Sequence, residues 1–127
     1  MKPTGLIEVI LYVQDIQAQV RFYRDQLGLV VSFPQDQADY SQENWVTFET
    51  GACTLALHSG GKLRQGEDAP KIVFGVDDIQ AARDHLISHG VKIGAIRSAA
   101  PGILVCDGFD PEGNPISFES REGTIYG

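Results

Sequence analysis

One six-residue pattern occurs twice in this chain, and it decides the fold. It reads Val13-Gln14-Asp15-Ile16-Gln17-Ala18 in the first half and Val76-Asp77-Asp78-Ile79-Gln80-Ala81 in the second. Only the second position differs, and the offset of 63 residues between the copies is about half of the 127-residue chain. Repetition of this kind indicates two copies of one structural module.

Each copy of the pattern predicts the start of a helix. Asp15 and Asp78 stand where an N-cap is expected, because an aspartate oxygen can accept hydrogen bonds from the first free N–H groups. Apolar residues then recur at helical spacing: Ile16, Val20, Tyr23 and Leu27 in the first half, and Ile79, Ala82 and Leu86 in the second. Gly28 and Gly90 follow as left-handed C-caps.

Apolar runs predict a strand before each helix and three strands after it. The strands expected after the helices are 29–33, 45–49 and 54–58 in the first half, and 91–96, 103–106 and 116–118 in the second. Asp110-Pro111-Glu112-Gly113-Asn114 is typical of a turn. The predicted fold class is therefore α+β, as two repeated β-α-β-β-β modules in a single domain, 1–127. Module one is 6–58, the linker is 59–70 and module two is 71–121.

Composition excludes several classes of partner. The chain is 43% hydrophobic with a net charge of -7, and its pI is about 4.7. Such an acidic protein does not favour nucleic acid or an anionic membrane as its main partner. No apolar run approaches the length of a membrane span. The first five residues lack a signal-peptide pattern and the two cysteines lack metal-ligand spacing, so we expect a cytoplasmic protein.

Several short motifs, taken in order, carry a family resemblance. They are Glu8-Val9-Ile10-Leu11-Tyr12-Val13-Gln14-Asp15, Phe22-Tyr23, Leu27-Gly28-Leu29, Val76-Asp77-Asp78, His89-Gly90-Val91 and Asp110-Pro111-Glu112-Gly113-Asn114. Over nearly its whole length the chain resembles the vicinal oxygen chelate superfamily, which includes glyoxalase I, extradiol dioxygenases, fosfomycin-resistance enzymes and bleomycin-resistance proteins. The resemblance implies two modules whose curved mixed sheets enclose a cavity, usually in a homodimer. In most members a divalent metal ion lies there, held from four strand positions.

Alternation of side chains along each strand predicts which residues face that cavity. The apolar residues of each strand share one parity and should pack on the helix, which leaves the other parity for the cavity. The residues of the second parity are Glu8, Ile10, Tyr12, Trp45, Thr47, Glu49, Thr54, Ala56, His58, Lys71, Val73, Gly75, Ser117 and Glu119. Tyr12 and Trp45 are the aromatic candidates for a ligand-binding wall.

The resemblance places the four metal-ligand positions at Glu8, Ala56, Lys71 and Ser117. An alanine offers no donor atom, and a charged lysine repels a cation. We therefore expect no metal ion, with Glu8 and Lys71 facing each other as opposite charges. The alternative is a shifted set of Glu8, His58 and Glu119, whose two carboxylates and one imidazole suit Fe, Mn, Ni or Zn.

These residues lead to a function hypothesis and three alternatives. The first is metal-free binding, or sequestering, of a small organic molecule, as in the bleomycin-resistance branch. Its expected ligand-binding residues are Glu8, Tyr12, Trp45, His58, Lys71, Ser117 and Glu119, and the acidic balance suits a cationic ligand. The second is a divalent-metal-dependent glyoxalase-like lyase or isomerase, or a dioxygenase, using the shifted set. A metal-free enzyme using Glu8 and His58, and a regulatory or structural dimer with a vestigial cavity, also stay open.

Overall fold

The chain divides into two compact units. A computed structural model describes residues 1–2, 6–62 and 70–122. Unit 1 is Met1–Arg64 and unit 2 is Gln65–Gly127. The division falls inside the segment 59–70 that the sequence predicts as a linker, and residues 63–69 of that segment lie outside the described residues.

In its described part, unit 1 is a four-stranded mixed sheet with one helical segment. Its elements are β1 (Glu8–Val13), α1 (Ile16–Val20), a π-helical continuation (Arg21–Gln26), β2 (Val30–Phe33), β3 (Trp45–Glu49) and β4 (Thr54–Ser59). The spatial order is β1-β4-β3-β2, with β1 parallel to β4 and the other neighbours antiparallel. The helical segment leaves β1, as the crossover between parallel strands requires.

The described part of unit 2 repeats this topology. Its elements are β5 (Ile72–Gly75), α2 (Ile79–Ser88), β6 (Arg97–Ala100), β7 (Ile103–Phe109) and β8 (Pro115–Arg121). The spatial order is β5-β8-β7-β6. The edge strand β5 is parallel to its neighbour β8, and the other neighbours are antiparallel. The predicted α+β class, with two repeated β-α-β-β-β modules of mixed sheet, is confirmed.

The helices begin and end at the residues that the repeated pattern indicates. The Asp15 side chain accepts a hydrogen bond from the Ala18 N–H at 3.0 Å, and Asp78 accepts one from Ala81 at 3.1 Å. Gly28 and Gly90 both have positive φ, at 86° and 79°, so both adopt the left-handed conformation that ends a helix. Within the described ranges, no helix is long and apolar enough to cross a membrane.

The first helical segment departs from regular α-helical spacing. Its second part, Arg21–Gln26, is π-helical, so each turn contains more residues than an α-turn. As a result Phe22 and Tyr23, adjacent in sequence, are both buried, and their rings meet edge to face. Leu27, which α-helical spacing places on the buried face, is only half-buried.

One predicted strand is wrong. The segment 91–96 alternates apolar residues but makes a single bridge, from Ile93 to Gly108, and the strand lies instead at Arg97–Ala100. The backbone N–H of Gly94 donates to the carbonyl of Asp107 at 2.9 Å, which ties this segment to β7 before pairing begins. The strand that follows lies at the sheet edge and is mostly exposed, so it has no apolar pattern that sequence reasoning could detect.

In each unit the helix covers one face of the sheet. In unit 1, α1 packs on β4, and in unit 2, α2 packs on β7 and β8. Most buried apolar side chains of the strands have the parity predicted for this face: Val13, Val46, Phe48, Leu55 and Leu57 in unit 1, and Cys106, Ile116 and Phe118 in unit 2. Ala56, Ile103 and Val105 are also buried but have the opposite parity. The other parity forms what we call the helix-free face of each sheet, where every predicted site residue lies.

Asp78→Ala should lower the free energy of unfolding by about 1 kcal/mol, because the first turn of α2 loses the acceptor for the Ala81 N–H. Urea denaturation followed by circular dichroism measures the change. The matched control is Asp77→Ala at the adjacent exposed residue, which should change stability by no more than a few tenths of a kcal/mol. Equal effects of the two substitutions would contradict a capping role.

Candidate functional site

Three aromatic rings lie side by side on the helix-free face of unit 1. Strand pairing places Tyr12 opposite His58, and Trp45 opposite His58 from the other side. The Tyr12 and His58 ring centroids are 5.2 Å apart, and those of Trp45 and His58 are 5.9 Å apart in an edge-to-face arrangement. Tyr12 is 60% exposed, so the cluster presents a ring to solvent in the unit. We call these three residues the aromatic triad.

The central ring of the triad has a defined proton position. His58 Nδ1 lies 2.7 Å from the carbonyl oxygen of Ser59. A carbonyl can only accept, so Nδ1 must carry the proton. In the neutral ring, Nε2 is then a hydrogen-bond acceptor.

The other end of the same face contains two of the residues named by the metal-site hypotheses. Glu8 is exposed and pairs with Thr54, whereas Ala56 pairs with Ile10 and is fully buried. His58 pairs with Tyr12, four residues beyond Glu8, so about 13 Å of strand separates the two along β1. Two side chains so far apart do not reach one ion, and the shifted set of Glu8, His58 and Glu119 is not favoured by this register.

On the helix-free face of unit 2, the Asp107 carboxylate joins three other polar side chains. Arg97 donates to it through Nε at 2.8 Å and through Nη2 at 3.4 Å. The Ser117 hydroxyl donates to Oδ1, and the Lys71 ammonium lies 3.4 Å from the same oxygen. Lys71 and Ser117, both predicted site residues, are therefore brought together by Asp107. Lys71 thus has an ion pair with Asp107 inside unit 2, and the Glu8–Lys71 pair expected from sequence stays a prediction.

The surroundings of Asp107 stabilise its charged form. The hydrogen bond from Arg97 is the main cause, and burial opposes it. The Ser117 hydroxyl and Lys71 act in the same direction as Arg97, so the pKa of Asp107 is lowered to about 2. The same contact raises the pKa of Arg97. Arg97, Lys71, Ser117 and Asp107 come from four segments and meet at one carboxylate, and we call this group the Asp107 cluster.

Glu119 belongs to a separate pair in unit 2. Arg121 Nε lies 2.5 Å from a Glu119 carboxylate oxygen. Both residues line a shallow groove of about 410 Å³, together with Val73 and Asp77. Val73 pairs with Ser117, so the groove begins next to the Asp107 cluster. Glu119 is thus engaged with a cation, which does not favour it as a metal ligand.

The residues at the four metal-ligand positions do not fit a divalent ion. Ala56 has no ligand atom in its side chain, Lys71 carries a positive charge, and the Ser117 hydroxyl donates a hydrogen bond to Asp107. Only Glu8 has the required chemistry. Across residues 6–62 and 70–122, no three His, Cys, Asp or Glu side chains are grouped closely enough to hold an ion.

Sequence reasoning missed two members of the Asp107 cluster. The predicted strand 103–106 ended one residue before Asp107, whereas β7 continues to Phe109. Extending the alternation from Val105 would have placed Asp107 on the same face, opposite Ser117. Arg97 lies on the edge strand β6, which carried no apolar signal. Arg97 could be found only from the pairing of β6 with β7, which the structure shows.

With the fold and the site in place, the family is established. The profile of the Glyoxalase/Bleomycin resistance protein/Dioxygenase superfamily matches residues 5–118. Because the match covers most of the chain, the protein belongs to this superfamily. The uncharacterized protein YraH of Bacillus subtilis (strain 168) is 29% identical over 99 residues, which are 68% of this chain and 73% of that protein.

Solved structures show the same fold with different activities. An antibiotic binding protein, TnmS3 from Streptomyces sp. CB03234, has a TM-score of 0.76 at 17% identity, covering 96% of this chain and 99% of that one. A lactoylglutathione lyase from Agrobacterium tumefaciens has a TM-score of 0.73 at 20% identity, covering 99% and 98%. At such identities the likeness concerns the fold alone.

Asp107→Asn should destabilise the protein at pH 7 by about 1 kcal/mol, once the pKa shift is discounted for solvent screening of a half-exposed group. The folded-state pKa of Asp107 is depressed, so its stabilisation is present above the unfolded value of 3.8 and is lost as pH falls through about 2. Urea midpoints of wild type and variant should therefore converge between about pH 4 and pH 2.

The matched control is Asp84→Asn on the exposed side of α2, where the carboxylate accepts an amide hydrogen bond from Gln80. That variant should stay within a few tenths of a kcal/mol of wild type at pH 7. A stability difference for Asp107→Asn that does not change with pH would contradict the electrostatic explanation.

Proposed function

We propose that this protein binds a small organic molecule reversibly and without a metal ion, and that the aromatic triad is its main contact. The observation that carries the proposal is the row of three rings on the helix-free face of unit 1. The proposed ligand is flat and at least partly aromatic. The ligand-binding residues expected from sequence remain part of the proposal, with Tyr12, Trp45 and His58 at its centre.

The triad has the physical properties that a flat ligand requires. Tyr12 is largely exposed and Ile10, on the same face of β1, is also exposed, so apolar surface is available to a ligand. Each favourable aromatic pair contributes about 0.5–1.5 kcal/mol beyond its buried area. His58 Nε2 adds one hydrogen-bond acceptor, which favours a ligand with a hydroxyl or N–H group at its edge.

The partners of His58 favour binding over catalysis. A catalytic histidine is commonly oriented by a carboxylate that stabilises its protonated form. His58 Nδ1 instead contacts the neutral carbonyl of Ser59, and its ring neighbours are Tyr12 and Trp45. Together with an alanine and a lysine at metal-ligand positions, this supports sequestering of a ligand. It does not support a lyase, isomerase or dioxygenase reaction.

The aromatic part of the proposal predicts selectivity for flat molecules. Wild-type protein should bind 2-naphthol more tightly than decalin-2-ol, which has a similar hydroxyl but a puckered saturated skeleton. Tyr12→Leu should weaken 2-naphthol binding by about 3- to 10-fold, because one aromatic pair is lost. Isothermal titration calorimetry measures both comparisons.

The matched control is Phe109→Leu, which removes an exposed aromatic ring of unit 2 that lies outside the triad. Its affinity for 2-naphthol should equal that of wild type. Equal binding of the flat and puckered alcohols, or equal losses in the two variants, would contradict a role for the triad.

The metal-free part of the proposal predicts that chelation has no effect. Protein dialysed against EDTA should bind 2-naphthol with unchanged affinity, because neither Ala56 nor Lys71 can hold an ion. Elemental analysis of protein purified without added metal independently measures the metal content per chain, which should be far below one ion. About one Fe, Ni, Zn or Mn ion per chain, or binding lost on chelation and restored by such an ion, would contradict it.

A further inference from the structure

We infer that Lys71 and Arg97 form a binding site for an oxyanion, a carboxylate or a phosphate group of a small molecule, on the helix-free face of unit 2. The inference rests on the proposed function, since an oxyanion site here serves a protein that binds small molecules. It adds a ligand class that the aromatic triad alone does not specify.

The charges of the Asp107 cluster do not cancel. Two cations, Lys71 and Arg97, share one carboxylate, so the cluster carries an excess of one positive charge. The lowered pKa of Asp107 keeps its carboxylate ionised at physiological pH, so the excess of one already includes its full negative charge. The chain as a whole carries -7, but contacts within a few ångströms depend on local charge more than on distant screened charge.

The two cations also have hydrogen-bond donors to spare. Lys71 has three N–H donors, and its contact with Asp107 is long, at 3.4 Å. Arg97 uses Nε and Nη2 on the carboxylate, and among the described residues Nη1 has no acceptor. The Lys71 and Arg97 side chains are 43% and 52% exposed, so these donors are accessible to a ligand within the unit.

The cluster holds its cations in place before a ligand arrives. Ser117 is 2% exposed and its hydroxyl donates to Asp107, which fixes the carboxylate against the sheet. The carboxylate in turn holds the Arg97 guanidinium through two N–H groups. Asp107 is therefore a positioning residue, and Lys71 and Arg97 are the groups that would contact the oxyanion.

The neighbouring surface suits the rest of an acidic ligand. Val73, two residues beyond Lys71 on the same face, is 50% exposed and begins the groove of about 410 Å³. An apolar body could lie on Val73 while its acid group contacts the two cations. Two carboxylates also line the groove: Glu119 is paired with Arg121, and the exposed Asp77 lies four residues beyond Val73 along the chain. The oxyanion is therefore placed at the Lys71 end of the groove.

The test compares three ligands with one ring system: naphthalene-2-carboxylate, 2-naphthyl phosphate and the neutral 2-naphthamide. Wild-type protein should bind at least one of the two anions about tenfold more tightly than the amide in calorimetry at low ionic strength. Added salt should weaken binding of the anion but not of the amide. The carboxylate-to-phosphate ratio identifies which oxyanion the site prefers.

Variants assign the effect to the two cations. Lys71→Met and Arg97→Gln should each remove most of the preference for the anion and leave amide binding unchanged. Lys92→Met, which removes an exposed lysine elsewhere in unit 2, is the matched control and should retain the preference. Circular dichroism and the urea midpoint show whether each variant is folded, and the wild-type comparison stands without any variant.

The outcomes separate this inference from the proposed function. If all three naphthalene ligands bind equally well and Tyr12→Leu weakens them all, the proposed function stands and the oxyanion site is overturned. The site is also overturned if the anion preference survives both cation substitutions. If none of the three ligands binds, and 2-naphthol does not bind either, the proposed function fails and the oxyanion site fails with it.

Discussion

The parallel pairing of the first and last strands of each unit is the constraint on which the rest of the molecule depends. Parallel neighbours cannot be joined by a tight turn, so β1 and β5 must each be followed by a crossover. A helix supplies it and packs on one face of the sheet. The helix leaves the opposite face free, and the polar and aromatic side chains of the candidate site lie there beside buried residues such as Ala56 and Val105.

Much of this could be predicted from the sequence because it depends on local rules. Helix capping predicts Asp15 and Asp78 at the start of the helices and Gly28 and Gly90 at their ends. Side-chain alternation predicts the two faces of each strand. The edge strand β6 could not be predicted, since it lies at the sheet boundary and its sequence, Arg-Ser-Ala-Ala, has no apolar alternation. The π-helical continuation of α1 also has no local signal that we can identify.

The candidate site was predictable in part for the same reason. Alternation placed Tyr12, Trp45 and His58 on one face, and strand register then brought them side by side. The Asp107 cluster depends on register between β7 and β8 and on the edge strand, so its central carboxylate escaped notice. A lysine at a position that holds a metal ligand in most members thus has a local explanation. Its ammonium forms an ion pair with an aspartate of the same sheet, which it shares with Arg97.

The place of Trp45 in the triad has a practical consequence. It is the only tryptophan in the chain, and its indole lies edge-on to the His58 ring. Indole fluorescence depends on the polarity and the quenching groups within a few ångströms. Excitation near the red edge of the protein's absorption selects tryptophan, so the fluorescence then comes from Trp45 alone. Trp45 is therefore an intrinsic fluorescent probe at the surface where the ligand is proposed to bind.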